Sequence, residues 1–143
     1  MNVEFSVRLP TDTHSVPLVR GLVRQALEHL RVPGAVVEEI VLALTEACAN
    51  VVDHAADQDV YQVDVAIDEQ LCRISVLDGG DGFDVAATQD AGTLPTDDRG
   101  RGLQLMHSLT DRLEFGQGED GRHRVTFEKW LAPPPRLRLL DPN

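Results

Sequence analysis

The chain has few cysteines, no long apolar run and little positive charge, and each shortage argues against a class of protein. Its two cysteines, Cys48 and Cys72, show neither CxxC spacing nor a surrounding histidine cluster, so the sequence predicts neither a metal site nor a disulfide. No segment approaches the roughly 18 consecutive apolar residues that cross a membrane. The chain has 13 Lys and Arg residues but 24 Asp and Glu residues, and the resulting net charge of −11 repels nucleic acid and anionic lipid. We therefore expect basic protein partners, with no direct binding to nucleic acid or membrane.

The length and composition indicate one domain with its own core. The chain has 143 residues, of which 42% are hydrophobic. Its beginning, with Glu4, lacks the basic-then-apolar pattern of a signal peptide, so we expect a cytoplasmic protein. Three consecutive prolines introduce the last segment. We expect a domain over residues 1–131 and a loosely held proline-rich tail over 132–143.

Hydrophobic periodicity predicts both strands and helices. Alternation with a period of two indicates strands near 3–9, 60–67, 71–77, 112–115 and 123–130, the second and third forming a hairpin. Helical spacing indicates helices near 15–30, 35–56 and 103–109. Residues 79–99 form a predicted loop of about 20 residues, a length that a compact domain retains for function. We interpret this loop as a lid.

Three polar islands stand out against this pattern, and the first lies within the second predicted helix. Glu46, Asn50 and His54 are spaced by four residues, which places them on one helix face with Asp53 alongside. A solvated helix face would show the same spacing. However, Asn is a poor residue for a helix interior and needs another reason to be there. A carboxylate can activate a hydroxyl and an amide oxygen can hold Mg²⁺. His54 could stack or form a hydrogen bond near a bound nucleotide, but we interpret it as a histidine on the helix surface.

The other two islands are rich in glycine. Asp78-Gly79-Gly80-Asp81-Gly82 follows a predicted strand, and Gly100-Arg101-Gly102-Leu103 precedes a predicted helix. Each alone also fits an ordinary turn. In a binding site, the Asp78 carboxylate could accept a hydrogen bond from an exocyclic amine, and the glycines would let a ring approach the backbone. The N–H groups at the start of the last helix could meet phosphate, with Arg101 adding positive charge.

The order of these islands resembles the GHKL, or Bergerat-fold, ATPases. Glu46 and Asn50 correspond to the N box of that superfamily, the Asp78 island to its D-x-G-x-G box, and the Gly100 island to its G-x-G box. The short chain and its two N-terminal helices are similar to the bacterial anti-sigma-factor serine/threonine kinases. The resemblance implies an α+β fold, a two-layer sandwich in which helices cover one face of a mixed, mostly antiparallel sheet.

The resemblance also implies an activity, cofactors and partners. The protein would bind a sigma factor and use Mg-ATP to phosphorylate a serine of an anti-anti-sigma protein with a STAS domain. Glu46 would be the general base, Asn50 the Mg²⁺ ligand and Asp78 the adenine acceptor. A homodimer through the early strand and helix is implied as well. The remaining nucleotide contacts carried over from the motifs are Gly80, Gly82, Gly100, Arg101, Gly102 and Leu103.

One departure from the family keeps a second function open. A Gly-Thr-Thr-hydrophobic run is frequent on the last strand of the family, but this chain has Gly121-Arg122-His123-Arg124-Val125 there. Thr126 is one residue out of step and would face the other side of the sheet. The alternative is therefore a catalytically silent module that binds a sigma factor with or without ATP.

Overall fold

The computed structural model describes residues 1–54, 59–78, 98–117 and 123–131 of the chain. The predicted tail over 132–143 and nearly all of the predicted lid lie outside these ranges. Within them the chain forms five strands and three helices. In chain order they are β1 (Val3–Pro10), α1 (Ser15–His29), α2 (Gly34–His54), β2 (Val60–Ile67), β3 (Leu71–Asp78), α3 (Asp98–Leu109), β4 (Arg112–Gln117) and β5 (His123–Trp130).

The strands form one sheet in the order β1-β2-β3-β5-β4, and every pair of neighbours is antiparallel. The predicted hairpin of β2 and β3 is confirmed. Its turn is held by the Asp68 carboxylate, which accepts hydrogen bonds from the backbone N–H groups of Gln70 and Leu71 at 2.7 and 2.8 Å. The pairing of β3 with β5 is not sequential, because α3 and β4 lie between these strands in the chain.

Side-chain alternation gives the sheet two different faces. On one face, residues such as Ile74, Val76 and Phe127 are fully buried beneath the helices and form the core with them. On the other face, Arg73 pairs with Glu128 in an ion pair that is open to solvent. An antiparallel sheet can keep one face solvated in this way. The expected two-layer α+β sandwich with helices on one face is confirmed, but the sheet of the described strands is wholly antiparallel and not mixed.

Local signals in the sequence define the ends of α1. The Asp12 carboxylate accepts hydrogen bonds from the N–H groups of His14 and Ser15 at 2.9 and 3.0 Å, which satisfies donors at the start of the helix. At the other end, Arg31 has a left-handed φ of 62°, and the Val32 N–H donates to the Leu27 carbonyl at 3.1 Å. This arrangement is a Schellman C-cap with arginine where glycine is usual.

A buried chain of polar groups fastens both long helices to the sheet. Tyr61 of β2 and Ser15 of α1 are joined by a hydrogen bond of 2.7 Å between their hydroxyls, and Ser15 donates onward to the Asp12 carbonyl. The Cys48 thiol of α2 contacts the Tyr61 hydroxyl from the other side. Buried hydroxyls need such partners because an unpaired one costs about 1–3 kcal/mol. This network fixes α2, the helix that carries Glu46 and Asn50.

One helix differs from its predicted bounds. The helix that was expected to start after Gly102 already begins at Asp98, so Gly100, Arg101 and Gly102 are its third, fourth and fifth residues. Two glycines in five residues weaken the helical signal at this point, since glycine costs about 1 kcal/mol in a helix interior. Among the helices in the described ranges, none is long and apolar enough to cross a membrane.

Candidate functional site

The first and third polar islands meet where α2 packs against α3. Gly102 lies so close to Glu46 that a Cβ at position 102 would be 2.8 Å from Oε2 and 3.7 Å from Cδ of that glutamate. Any other residue at this position would require the Glu46 carboxylate, the end of a flexible side chain, to move away. The Glu46 side chain is half-buried, so it is neither a solvated surface group nor a sealed core group. The structure therefore brings the predicted base to the start of the glycine-rich helix.

Asn50 lies one turn after Glu46 and is almost completely buried. Its exposed fraction is 5%, and its Nδ2 atom has no hydrogen-bond partner within the described ranges. Leaving a buried amide unpaired costs about 1–3 kcal/mol, so a structural role alone does not account for it. An amide in this condition fits a group whose partner is a ligand. Mg²⁺ bound to phosphates takes one or two protein oxygens, and Asn50 can offer one.

The opposite side of α2 is apolar, as its spacing predicts. Val37, Val41, Leu44, Cys48 and Val51 are all buried in the core. This anchoring holds the polar side of the helix towards α3 and the end of the sheet, and it excludes the interpretation of a simply solvated helix face for Asn50.

Asp78 is the last residue of β3 and is 1% exposed. It follows Ile74 and Val76 at intervals of two, so it continues the helix-facing side of the sheet. A carboxylate buried at a strand end can accept a hydrogen bond from a donor that approaches along this edge. Its glycine neighbours Gly80 and Gly82 lie outside the described residues.

The start of α3 supplies donors of another kind. The first N–H groups of a helix lack partners within the helix and carry the positive end of its dipole. Because α3 begins at Asp98, these groups extend to Gly100, whereas the N–H groups of Arg101 and Gly102 already lie within the helix. Leu103, next in the chain, is buried in the core. Such a helix start favours phosphate. The side chains of Arg101 and His54 are outside the described part of the structure.

On the last strand, where the chain departs from the family's Gly-Thr-Thr run, Thr126 faces the side of the sheet that was expected. Thr126 of β5 pairs with Ser75 of β3, and their hydroxyls are 2.8 Å apart on the face away from the helices. The residue that shares the helix-facing side with Asp78 is His123, its direct partner in the β3–β5 register. Sequence reasoning noted His123 only as part of an unusual run. The alternation of β5 identifies it, because His123 is two residues before the buried Val125 and therefore lies on the same face of the strand.

Comparison with known proteins agrees with this architecture. The histidine kinase-like ATPase domain family matches residues 9–129. The serine-protein kinase RsbW of Halalkalibacterium halodurans is 32% identical over 136 residues, covering 89% of this chain and 83% of that protein. RsbW of Bacillus cereus is 23% identical and covers 81% of this chain and 79% of that protein.

Two solved structures share the fold. A crystal structure of the RsbU and RsbW domains of a Mycobacterium tuberculosis protein superposes with a TM-score of 0.69 at 20% identity, over 92% of this chain. The chain spans about a third of that longer molecule, 33% of its length. The SiaB–SiaC complex of Pseudomonas aeruginosa contains a chain that matches with a TM-score of 0.63 at 11% identity, covering 88% of each. This chain therefore belongs to the histidine kinase-like ATPase domain family and, within it, to the RsbW-type family of anti-sigma-factor serine kinases.

Proposed function

We propose that the chain is an anti-sigma factor and an ATP-dependent serine protein kinase, which binds a sigma factor and phosphorylates an anti-anti-sigma protein with a STAS domain. The observation that carries the proposal is the approach of the Glu46 carboxylate to Gly102 at the start of α3. A base beside a phosphate-binding helix start is what transfer of a phosphoryl group to a hydroxyl requires. The similarity to serine-protein kinases named RsbW supports the same activity.

Glu46 acts in this proposal as the general base. The carboxylate accepts the proton of the substrate serine as its oxygen attacks the terminal phosphorus of ATP, and ADP leaves. The half-buried position of Glu46 suits this role, because a substrate can reach the carboxylate while α2 holds it in place. Fixing a base at hydrogen-bond distance from its proton contributes about 10²- to 10⁴-fold to the rate.

The phosphates are held from two sides. The free backbone N–H groups at the start of α3, up to Gly100, donate to phosphate oxygens, and Arg101 and Gly102 keep the nucleotide contacts assigned from the motif. Asn50 offers its amide oxygen to Mg²⁺. When bound, Mg²⁺ neutralises charge on the phosphates. The structural support for placing Asn50 at the phosphates is its buried and unpaired Nδ2 group, a donor that a phosphate oxygen would satisfy.

The adenine is proposed to lie against the end of β3. Asp78 accepts a hydrogen bond from the exocyclic amino group, and Gly80, Gly82 and Leu103 complete the contacts assigned from the motifs. The burial of Asp78 supports this role, because a hydrogen bond that forms away from water discriminates more strongly between bases.

The test is transfer of labelled phosphate from ATP to purified candidate STAS-domain proteins. We expect acid-stable phosphoserine from the unaltered chain and none from Glu46→Ala, while Glu46→Ala still binds ADP. Glu38→Gln is a matched control, because Glu38 lies exposed on the same helix and pairs with Arg24. Transfer by Glu46→Ala at the unaltered rate would contradict the assigned base.

The second candidate is a catalytically silent module that binds a sigma factor with or without nucleotide. The observation that favours it is Thr126, whose hydroxyl is engaged by Ser75 on the face remote from Asp78. Calorimetry with ATP and ADP, with and without Mg²⁺ and with Asp78→Asn in parallel, tests the nucleotide site, and the lack of any binding supports a nucleotide-free silent module. Where binding depends on Asp78, formation of phosphoserine on a STAS-domain protein separates the kinase from a silent module that binds ATP.

The other proposed protein partners are a sigma factor and a second copy of the chain. We propose that the chain binds them in the cytoplasm. The net charge of −11 complements the basic surfaces of DNA-binding proteins. For the homodimer, α1 exposes Leu18 by 57% and Leu22 by 43%, one turn apart, and β1 is an edge strand of the sheet. Light scattering should report a dimer that Leu18→Glu dissociates. Leu42→Glu, at an exposed position of α2, is the control and should remain dimeric.

A further inference from the structure

The strand register places a histidine next to the aspartate that ends β3. Asp78 pairs with His123 in the β3–β5 ladder, and His123 pairs on its other side with Gln117 of β4. Directly paired residues of antiparallel strands project to the same face, with Cβ atoms about 4.5–5.5 Å apart. A carboxylate and an imidazole are therefore immediate neighbours at this end of the sheet.

Both side chains belong to the helix-facing side. Two residues further along each strand, Val76 and Val125 form a pair that is fully buried beneath the helices. Residues two apart on a strand share a face. Asp78 is 1% exposed and His123 is half-buried, so the imidazole lies at the rim of the layer where a ligand can reach it.

The two groups have complementary hydrogen-bonding character. An ionised carboxylate only accepts, whereas an imidazole carries at least one N–H donor in every tautomer and protonation state. Adenine presents the matching pair on its Watson–Crick edge, with a donor amino group at N6 beside an acceptor at N1. Guanine presents the inverse pair, an acceptor at O6 beside a donor at N1.

We propose that His123 is a specificity-determining residue of the nucleotide site, donating a ring N–H to N1 of the adenine whose amino group Asp78 accepts. The inference rests on the proposed function, since it assigns a second contact in the same adenine site. Together the two residues form an acceptor and donor pair across neighbouring strands. This pair favours adenine over guanine at both positions of the base edge.

The experiment compares the binding of ADP with that of 1-deaza-ADP, in which a C–H group replaces N1. Calorimetry on the full chain should show about three- to tenfold tighter binding of ADP, which is the value of one hydrogen bond. His123→Ala should weaken ADP by a similar factor and bind both ligands equally. His123→Gln keeps an N–H donor and should restore part of the difference. Arg124→Gln, at the next residue on the opposite and exposed face, is the matched control.

Each outcome decides between the inference and the function on which it rests. ADP binding that depends on Asp78, together with equal affinity of the unaltered chain for both ligands, overturns the role of His123 and leaves the kinase proposal intact. A preference for ADP that survives in His123→Ala overturns it as well. Failure of the unaltered chain to bind any nucleotide overturns the proposed function and the inference together. The comparison of ligands on the unaltered chain needs no substitution, so a poorly folding variant cannot obscure the result.

Discussion

Oε2 of Glu46 occupies the space beside Gly102 that the Cβ of any other residue would need, at 2.8 Å from that position. The contact joins two segments more than fifty residues apart in the chain, one on α2 and one near the start of α3. It makes the position of the proposed base depend on the absence of a side chain at position 102.

Gly102→Ala should therefore displace the Glu46 carboxylate. Because a misplacement of about 1 Å in a catalytic group can cost about 10²-fold, we expect serine phosphorylation to fall by about ten- to hundredfold. Gly21→Ala is the matched control, since Gly21 lies in α1 with no atom within 4 Å of its missing Cβ. It should leave activity unchanged and raise the free energy of unfolding by about 0.5–1 kcal/mol. Equal kinase activity of Gly102→Ala and the unaltered chain would show that the contact does not position the base.

The fold could be predicted from the sequence where the signal is local. The alternation of β3 places Asp78 on the buried face, and the spacing of α2 separates Asn50 from the apolar side of the helix. Contacts between distant segments were not predictable in this way. No local pattern reports that β5 rather than β4 pairs with β3, and this pairing is what brings His123 to Asp78.

The predicted start of α3 was wrong for a related reason. Glycine propensity places the helix start after Gly102, whereas the structure starts it at Asp98. Packing of α3 against α2 accounts for the difference, because tertiary contacts routinely override propensities of about 1 kcal/mol. The proximity of Gly102 to Glu46 is part of this packing and also has no local signal.

Replacing Asn50 with alanine distinguishes a functional role of this residue from a structural one. Its buried Nδ2 atom has no partner among the residues described, so Asn50→Ala removes an unsatisfied group and improves helix propensity. We expect the free energy of unfolding to stay constant or to rise by up to about 1 kcal/mol. The same variant should lose the gain in ATP affinity that Mg²⁺ provides, measured by calorimetry with and without the metal. A destabilised variant that still responds to Mg²⁺ would assign Asn50 to the fold instead.

For Thr126 we expect the opposite of Asn50, a loss of stability without a loss of nucleotide binding. Its hydroxyl is 2.8 Å from that of Ser75 on the face away from the helices, so Thr126→Val should cost about 0.5–1.5 kcal/mol in urea unfolding. Its affinity for ADP should not change, because Asp78 and His123 lie on the other face. Loss of ADP binding in a folded Thr126→Val chain would be incompatible with this register.

The two cysteines predict how stability depends on alkaline pH. Burial raises the pKa of the Cys48 thiol and that of the Cys72 thiol from 9.0 to about 12 each. Well below pH 9 both the folded and the unfolded chain retain these protons, so the thiols add no pH dependence there. Between pH 9 and 12 the unfolded chain releases protons that the folded chain keeps. The free energy of unfolding should therefore fall as pH rises, by up to about 1.4 kcal/mol per pH unit for each thiol.

The measurement is urea unfolding near pH 8 and near pH 10 for the unaltered chain and for a variant with both Cys48→Ala and Cys72→Ala. The variant loses packing at both values but lacks the thiol ionisation, so its stability should approach that of the unaltered chain as pH rises. Burial also raises the pKa of the Tyr61 hydroxyl, and Cys48 contacts that hydroxyl, so the comparison includes Cys72→Ala alone, which leaves the pair of Cys48 and Tyr61 in place. A constant difference between the two proteins would mean that the thiols ionise alike in the folded and unfolded chains, and that the Cys48 sulfur is not shielded from water behind the helix that carries Glu46.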